Sequence, residues 1–362
     1  MAQRFGTNLY EDETELLERG QPDAVCICTE DYLRPHYAAW GIEHGLHVFL
    51  PEPFATSIED AVSVFTASNE KGLVTVGSLP TRFRAPSVTA LQLIDEGRIG
   101  RPITGHFSIT HHLTLGGWKS DFDMAAGPEL ETGFYVFDQM RMLMQDEPAD
   151  VVGFGENLDH RGIPCIDNGK CVVQCKGGVL ATVDLILSNH HPFPRGRASH
   201  VIGDEGAIVI DQDEKGAYVE VHTSDGVERV DCESWNPFEK ELGEWICTMG
   251  EGDDPTPWQE EGLRTLTLIL AYKESHESEN RLVIADEDEE GRRDGLARPQ
   301  LRFQASRRCR ALGSTTLRRG LSPDAGFRDE PVRSAGRTRR ARLVLRPGDH
   351  RRAVSEPDRR HR

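Results

Sequence analysis

One predicted helix carries the side chains best suited to proton transfer. In "GPELETGFYVFDQMRML" (127–143), Glu131, Tyr135 and Asp138 are spaced i, i+4 and i+7, which places them on one helical face. A carboxylate and a phenol on one face could hold or move a proton. The alternative is an amphipathic helix whose polar face only meets solvent. In either case the adjacent face should pack through Leu130, Phe134 and Phe137.

A second candidate is a carboxylate held between two prolines. In "HVFLPEPFATS" (47–57), Glu52 stands between Pro51 and Pro53, directly after an apolar run that predicts a buried strand. Open α/β sheets bind their ligands at the carboxyl ends of the strands. The position of Glu52 therefore predicts a role in a binding or catalytic site.

The N-terminal part of the sequence alternates strands with helices, which predicts a parallel sheet with right-handed crossovers. Strand-like runs lie at 23–28, 46–50 and 73–78, and helical patterns lie at 33–45 and 56–72. The second helix opens with a capping box at Thr56 and Glu59. This part indicates a Rossmann-type α/β domain, truncated to three strands, over residues 1–80.

Beyond residue 80 the pattern changes to an α+β domain with a largely antiparallel open sheet. A helix closed by Gly97, a strand and the helix at 129–144 come first, and short strands separated by turn signals follow between 150 and 232. Two further helices are predicted near 238–249 and 258–275. We assign residues 81–288 to this domain.

The charge distribution separates a tail from the rest of the chain. Residues 291–362 contain 21 arginines, no lysine and 7 acidic residues, whereas residues 1–290 contain 21 basic and 53 acidic residues. The acidic body disfavours nucleic-acid binding by its sign, and it suits either a high-salt environment or plain solubility. Residues 289–362 lack periodicity and are predicted to be disordered. A frameshifted reading, a solvated tail and a nucleic-acid-binding arm all remain open for that segment.

The sequence shows no signal segment and no apolar run of membrane-spanning length, so we expect a cytoplasmic protein without membrane partners. Its eight cysteines contain no C-x-x-C pair. Single thiols within strands, such as Cys26, Cys28, Cys171 and Cys175, are expected to be small buried groups. We therefore predict a reducing compartment and no disulfide framework.

The order of motifs resembles the Gfo/Idh/MocA oxidoreductases over roughly residues 3–285. "DAVCICT" with the following Thr29–Tyr32 loop is similar to the family's strand and T-P-N-H-like loop, and Pro51-Glu52-Pro53 is similar to its E-K-P strand end. The 127–143 segment resembles the G-G-G-x-x-x-D-x-G-x-H-x-x-D helix. Further likenesses lie at 82–102, 200–211 and 258–275.

The resemblance implies an NAD(P)-dependent oxidoreductase acting on a sugar, polyol or related secondary alcohol, and a homo-oligomer, either dimer or tetramer. It implies catalytic roles for Tyr135, Glu131 and Glu52. The implied cofactor-binding residues, for NAD or NADP, are Thr29, Asp31, Arg34, Glu52 and Pro53. Tyr135 stands at the family's His position, where some relatives also have Tyr.

Two departures from the family pattern favour an alternative function. The chain lacks the G-x-G-x-x-G turn that binds the cofactor pyrophosphate, and it begins at a segment resembling the part after that unit. Glu52 also occupies the position of the family's lysine, so it should raise the pKa of Tyr135 where a lysine would lower it. Lys119 or Arg34 could supply the missing cation, although each is expected to be a surface charge. The alternative is a catalytically impaired or non-catalytic family member that acts as an oligomeric structural or binding protein.

Two pairs of adjacent histidines, His111-His112 and His190-His191, fall in strand-like segments. Neighbouring side chains on a strand point to opposite faces, so neither pair alone can hold a metal ion in the usual geometry. The sequence therefore predicts no metal site.

Overall fold

The structure is a computed structural model, and it describes residues 6–114, 116–121, 125–191 and 199–284. The described residues fall into two compact units, 6–22 and 23–284. The first unit contains a short α-helix, α1 (Glu13–Glu15), which continues as a π-helix (Leu16–Gly20). Asp12 begins α1, because its side chain accepts a hydrogen bond from the backbone N–H of Glu15 at 2.8 Å.

Three parallel strands form the first sheet, in the order β1-β2-β3. They are β1 (Ala24–Cys26), β2 (His47–Leu50) and β3 (Thr75–Gly77), and the helices between them are α2 (Arg34–Glu43) and α3 (Ile58–Glu70). The predicted Rossmann-type alternation is confirmed. The predicted capping box is wrong by one residue, because Ser57 and not Thr56 accepts the N-terminal hydrogen bond, from Asp60 N at 3.1 Å.

The second sheet has nine strands in the order β11-β10-β9-β8-β4-β7-β6-β5-β12. Their bounds are β4 (Pro102–Thr110), β5 (Pro148–Glu156), β6 (Asn168–Cys175), β7 (Leu180–Ile186), β8 (Ser199–Gly203), β9 (Ala207–Asp213), β10 (Gly216–Thr223), β11 (Gly226–Asp231) and β12 (Leu282–Val283). All neighbouring strands pair antiparallel except β4 and β7, which pair in parallel. The predicted α+β part with a largely antiparallel sheet is therefore confirmed.

Three helices pack against this sheet, and they are α4 (Ala85–Asp95), α5 (Pro128–Met144) and α7 (Thr256–Ser278). A fourth helix, α6 (Pro237–Glu251), packs against the first sheet, where the Trp245 ring lies 5.5 Å from that of Phe49. Burial alternates along the strands, so that Ala181, Val183 and Leu185 of β7 are buried while Leu180 and Thr182 are not. The predicted packing face of α5 is confirmed, because Leu130, Phe134 and Phe137 are buried. The predicted domain boundary near residue 80 falls between the two sheets and stays a prediction.

The cysteines follow the sequence prediction only in part. Cys171 and Cys175 are buried free thiols, whereas Cys26 and Cys28 are exposed free thiols. Cys26 lies on β1, an edge strand of the three-stranded sheet. Cys247 is disulfide-bonded, whereas the sequence predicted no disulfide framework.

Among the described residues, no helix combines the length and the apolar character needed to cross a membrane. The predicted Arg-rich tail, residues 289–362, lies outside the described residues.

Candidate active site

Glu52 and Tyr135 meet where the first sheet faces helix α5. Glu52 follows the end of β2 and precedes a cis peptide bond to Pro53. The Tyr135 hydroxyl donates a hydrogen bond to Glu52 Oε1. The structure therefore joins the two candidates that the sequence placed on separate elements.

Aromatic packing positions this pair. Phe54 is buried two residues beyond Glu52, and its ring centroid lies 5.1 Å from that of Phe134, the residue before Tyr135. Gly77, at the end of β3, makes room for Phe54, because a Cβ there would lie 2.3 Å from the Phe54 ring. Phe54 thus fixes the Pro-Glu-Pro segment against α5.

The environment keeps Tyr135 protonated. Burial raises the pKa of the Tyr135 hydroxyl well above its usual range, and the carboxylates of Glu52, Glu131 and Glu241 raise it further. The largest electrostatic contributions to this shift therefore come from carboxylates. The predicted effect of Glu52 on the pKa of Tyr135 is confirmed in direction, and burial is the larger cause.

Asp31 and Arg34 contact the Pro-Glu-Pro segment and the residues just before α5. Arg34 Nη1 donates to the Pro53 carbonyl at 2.7 Å and lies 3.0 Å from Asp31 Oδ1. Asp31 Oδ2 accepts from the backbone N–H of Ala126, just before α5, at 2.9 Å. Burial raises the pKa of Asp31, while that N–H and Arg34 partly oppose the shift. Arg34 is buried, so the expectation that it is a surface charge is wrong.

Glu131 pairs with Lys119, which lies in the short 3₁₀ helix Gly117–Ser120. Both side chains are partly exposed. Lys119 also lowers the pKa of the neighbouring Asp31. Lys119 thus places a cation at the edge of the site, where it pairs with Glu131.

Asp138 does not join Glu131 and Tyr135 at the candidate site, although their spacing predicted one shared helical face. It is fully buried, where Arg82 donates to both of its carboxylate oxygens at 3.0 and 2.8 Å. Arg82 also pairs with Glu261 at 2.7 Å. Glu131 and Tyr135 are partly exposed, so the polar side of α5 divides into a site and a buried ion cluster.

Two features of the candidate site were not visible in the sequence. Glu241 of α6 is buried near Glu52, where it accepts hydrogen bonds from Ser78 Oγ at 2.9 Å and from the backbone N–H of Leu79. Burial raises its pKa to about 8. The second feature is a cavity of about 160 Å³ with Tyr135 on its wall. Polar lining residues include Arg84, Ser108, His111, Gln139, Ser199 and Asp211.

Comparison with known proteins identifies the family. Residues 1–78 match the model described as "Oxidoreductase family, NAD-binding Rossmann fold", and residues 87–209 match the "GFO/IDH/MocA C-terminal domain".

The chain belongs to the Gfo/Idh/MocA family.

Curated relatives in this family are sugar and polyol enzymes by name. A 1,5-anhydro-D-fructose reductase from Ensifer adhaerens is 27% identical over 71% of this chain and 78% of the relative. A myo-inositol 2-dehydrogenase from Thermotoga maritima is 23% identical over 79% of this chain and 87% of the relative.

Solved structures share the Gfo/Idh/MocA fold with this chain. A 3-ketoreductase from Actinomadura kijaniata, in complex with NADP and TDP-benzene, has a TM-score of 0.67 at 20% identity and covers 76% of this chain and 84% of its own. An oxidoreductase from Agrobacterium radiobacter, in complex with NAD⁺, L-tartaric acid and magnesium, has a TM-score of 0.67 at 21% identity and covers 78% and 86%.

NAD or NADP is accordingly the cofactor class of this Gfo/Idh/MocA protein. The described residues fit the nicotinamide end of such a cofactor. Thr29 follows β1 and Pro53 follows β2, at the edge where parallel strands bind nucleotides. The buried Nε of Arg34 has no hydrogen-bond partner among the described residues, so one donor remains for a cofactor oxygen. The sequence has no G-x-G-x-x-G motif, so we assign no residue to the pyrophosphate.

Proposed function

We propose that this protein transfers a hydride between NAD(P) and a secondary alcohol or ketone of a sugar or polyol. We assign proton transfer to Tyr135 and Glu52. The observation that carries the proposal is the hydrogen bond from the Tyr135 hydroxyl to the Glu52 carboxylate. It lies at the carboxyl end of β2, beside the edge of the sheet that binds the cofactor in folds of this type.

The chemistry requires a base in the oxidation direction. Bound NAD(P) supplies the hydride acceptor, and the alcohol oxygen must lose its proton at the same time. Tyr135 can accept this proton on its oxygen while its own proton passes to Glu52, so that the carboxylate is the final base. In the reduction direction the proton returns along the same path to the new alcohol oxygen. A raised pKa of Tyr135 suits this relay, because the phenol never has to exist as a free phenolate.

The cavity beside Tyr135 supports the substrate class. Its lining offers hydroxyl, amide and imidazole groups from Ser108, Gln139 and His111. Such groups can hydrogen-bond several hydroxyls of a polyol at once. The names of the curated relatives, a reductase of an anhydro sugar and an inositol dehydrogenase, point to the same class.

The second candidate function is binding without turnover, and the same contact favours it. An alkoxide forms more easily beside a cation, whereas Glu52 adds a negative charge. Lys119 is a cation at the edge of the site, but it is paired with Glu131. The two functions differ in whether the Tyr135–Glu52 pair moves a proton.

Activity assays distinguish them. The full chain should oxidise at least one polyol from a panel that includes myo-inositol and 1,5-anhydro-D-glucitol, measured as NAD(P)H formation. Tyr135→Phe should lower kcat by about 10²–10⁴, the usual contribution of general acid–base catalysis. Glu52→Gln should lower it by a similar factor, because the amide cannot take the proton.

Tyr218→Phe is the matched control, because the Tyr218 hydroxyl also donates to a carboxylate, Asp211 Oδ2, at 3.4 Å. This variant should keep its turnover. Unchanged turnover in Tyr135→Phe would reject the proton-transfer assignment. NAD(P)H binding by fluorescence without turnover of any polyol would favour the non-catalytic function.

A further inference from the structure

A cluster of two histidines and one aspartate lies outside the site described above. Its members are His112, just after β4, Asp159, between β5 and β6, and His190, just after β7. His190 Nε2 is 2.8 Å from Asp159 Oδ2, and His112 Nε2 is 3.9 Å from the same oxygen. The two imidazole centroids are 4.2 Å apart. One ligand atom from each residue lies within 4.8 Å of the other two.

Strand pairing brings the two histidines together. Parallel strands β4 and β7 end side by side, and their backbones stay hydrogen-bonded beyond the strand ends. Leu113 N donates to Leu187 O at 2.8 Å, and Asn189 N donates to His111 O at 3.3 Å. Each adjacent pair thereby contributes one histidine to the cluster. His111 instead lines the cavity beside Tyr135, so the adjacent residues His111 and His112 belong to different sites.

A separate set of hydrogen bonds positions the aspartate. The buried carboxylate of Asp167 accepts from the backbone N–H groups of Leu158, Asp159 and His160, at 2.8, 2.8 and 2.7 Å. The His160 side chain then lies 2.9 Å from the carbonyl of Leu113, next to His112. The loop that carries Asp159 is therefore held against the segment that carries His112 without any metal ion. Such supporting contacts are what orient ligands in metal sites.

We propose that His112, Asp159 and His190 bind one divalent transition-metal ion of the zinc type. Two imidazoles and a carboxylate suit Zn²⁺ and its neighbours in the first transition row, whereas Mg²⁺ and Ca²⁺ prefer oxygen ligands. Ligand atoms about 2.0–2.2 Å from a tetrahedral Zn²⁺ lie roughly 3.3–3.6 Å from one another, so small side-chain rotations suffice from the observed spacing. Three protein ligands leave a fourth position for water or an external ligand. The three side chains are open to solvent, which gives the ion a path of entry.

The test uses the full chain, first treated with EDTA and then titrated with ZnCl₂ by isothermal calorimetry, with no cofactor or polyol present. We expect one site per chain with a micromolar or lower Kd, and a higher melting temperature with Zn²⁺. His112→Gln, Asp159→Asn and His190→Gln should each weaken Zn²⁺ binding at least tenfold. With Co²⁺ as the probe, visible absorption bands typical of four-coordinate cobalt should appear and should be lost in the same variants.

His222→Gln is the matched control. His222 is also solvent-exposed and lies 3.2 Å from a carboxylate, Glu220, but among the described residues it belongs to no group of three possible metal ligands. This variant should bind Zn²⁺ like the parent chain. If His112→Gln does not fold, His190→Gln decides, because the His190 side chain is 54% exposed.

The proposal is overturned if Zn²⁺ does not bind with one-to-one stoichiometry. It is also overturned if binding survives all three substitutions. Because the titration involves neither hydride transfer nor Tyr135, its result is independent of the proposed enzymatic function.

Discussion

At the scale of single residues, the contact between Glu52 and Tyr135 sets the charge of the candidate active site. The hydroxyl is partly buried, donates to a carboxylate and is surrounded by further carboxylates, so the neutral phenol is strongly favoured. Whether the pair works as a relay depends on this balance of charge more than on its geometry.

Glu52→Lys should reverse the sign of the largest electrostatic influence on Tyr135. A unit charge about 5 Å away at an effective dielectric of about 20 is worth roughly 3 kcal/mol, or about two pK units. The pKa of Tyr135 should therefore fall, as measured by ultraviolet titration of tyrosinate with Tyr135→Phe as the blank. Glu52→Gln, which removes the negative charge without adding a positive one, should give an intermediate value. An equal pKa in all three proteins would show that burial alone controls it.

Glu241 should make stability depend on pH. Burial raises its folded-state pKa to about 8, above the unfolded value of about 4.3, so the folded state favours the neutral acid. Its contribution to stability is full below about pH 4 and is lost as the pH rises towards 8, by up to about 1.4 kcal/mol per pH unit.

Glu241→Gln should remove this loss, because an amide resembles the neutral acid and keeps an oxygen for Leu79 N–H. Urea unfolding at pH 5 and pH 8 should show the variant gaining stability relative to the parent chain at the higher pH. The contributions of the other titrating groups to the pH dependence are the same in both proteins, so they cancel when the two unfolding free energies are subtracted. A constant difference would mean that Glu241 is ionised in the folded protein at both pH values.

At the scale of elements, α5 both carries the site and anchors it. Tyr135 and Glu131 face the strand ends, while Asp138 and Arg141 face α7 in a buried ion cluster. Arg82, in the 3₁₀ helix Pro80–Phe83, links this cluster to the segment that joins the two sheets.

Arg82→Ala should cost about 3–5 kcal/mol of unfolding free energy, because it leaves Asp138 and Glu261 as buried carboxylates without this partner. Arg281→Ala is the matched control, since Arg281 also forms a two-point contact with an aspartate, Asp150, at 2.8 and 2.6 Å, but on the surface. The Arg281→Ala substitution should lower the free energy of unfolding by at most about 1 kcal/mol. Urea denaturation measures both, and equal losses would contradict the role given to the buried cluster.

At the scale of the whole molecule, the nine-stranded sheet has an open face with apolar side chains. Leu180, Thr104 and Ile202 are register partners across β7, β4 and β8, so they form one row on the same side. Leu180 is 48% exposed and Ile202 is 39% exposed, and Val172 of β6 is 48% exposed. An apolar row on an open sheet face is typical of a surface that is covered in an oligomer.

We therefore retain the prediction of a homo-oligomer formed through this sheet face. Analytical ultracentrifugation should show a dimer or tetramer, and the double variant Leu180→Asp/Ile202→Asp should shift it to monomer. Ile246→Asp is the control, because Ile246 is a 57% exposed apolar residue of α6, outside the sheet. A monomeric parent chain at low and at high salt would refute the prediction.

Local patterns in the sequence predicted most of the elements. Apolar periodicity located the helices at 129–144 and 258–275 and the three strands of the first sheet, because helix and strand periods depend on neighbours only a few residues away. The order of motifs identified the family, and the position of Glu52 after a strand predicted its place at the sheet edge. The charge of Glu52 was also sufficient to predict the direction of its effect on Tyr135.

Tertiary structure decided which of these residues meet. Periodicity assigns a side chain to a face, but strand order and helix packing determine what lies opposite that face. Arg34 was therefore expected at the surface, and Asp138 was expected on one face with Glu131 and Tyr135, but both are buried in ion pairs. The histidine pairs show the same limit. Neither pair alone could form a metal site, and only the parallel pairing of β4 with β7 brings His112 and His190 to one aspartate. Contacts between segments distant in the chain depend on this three-dimensional arrangement, which no local pattern encodes.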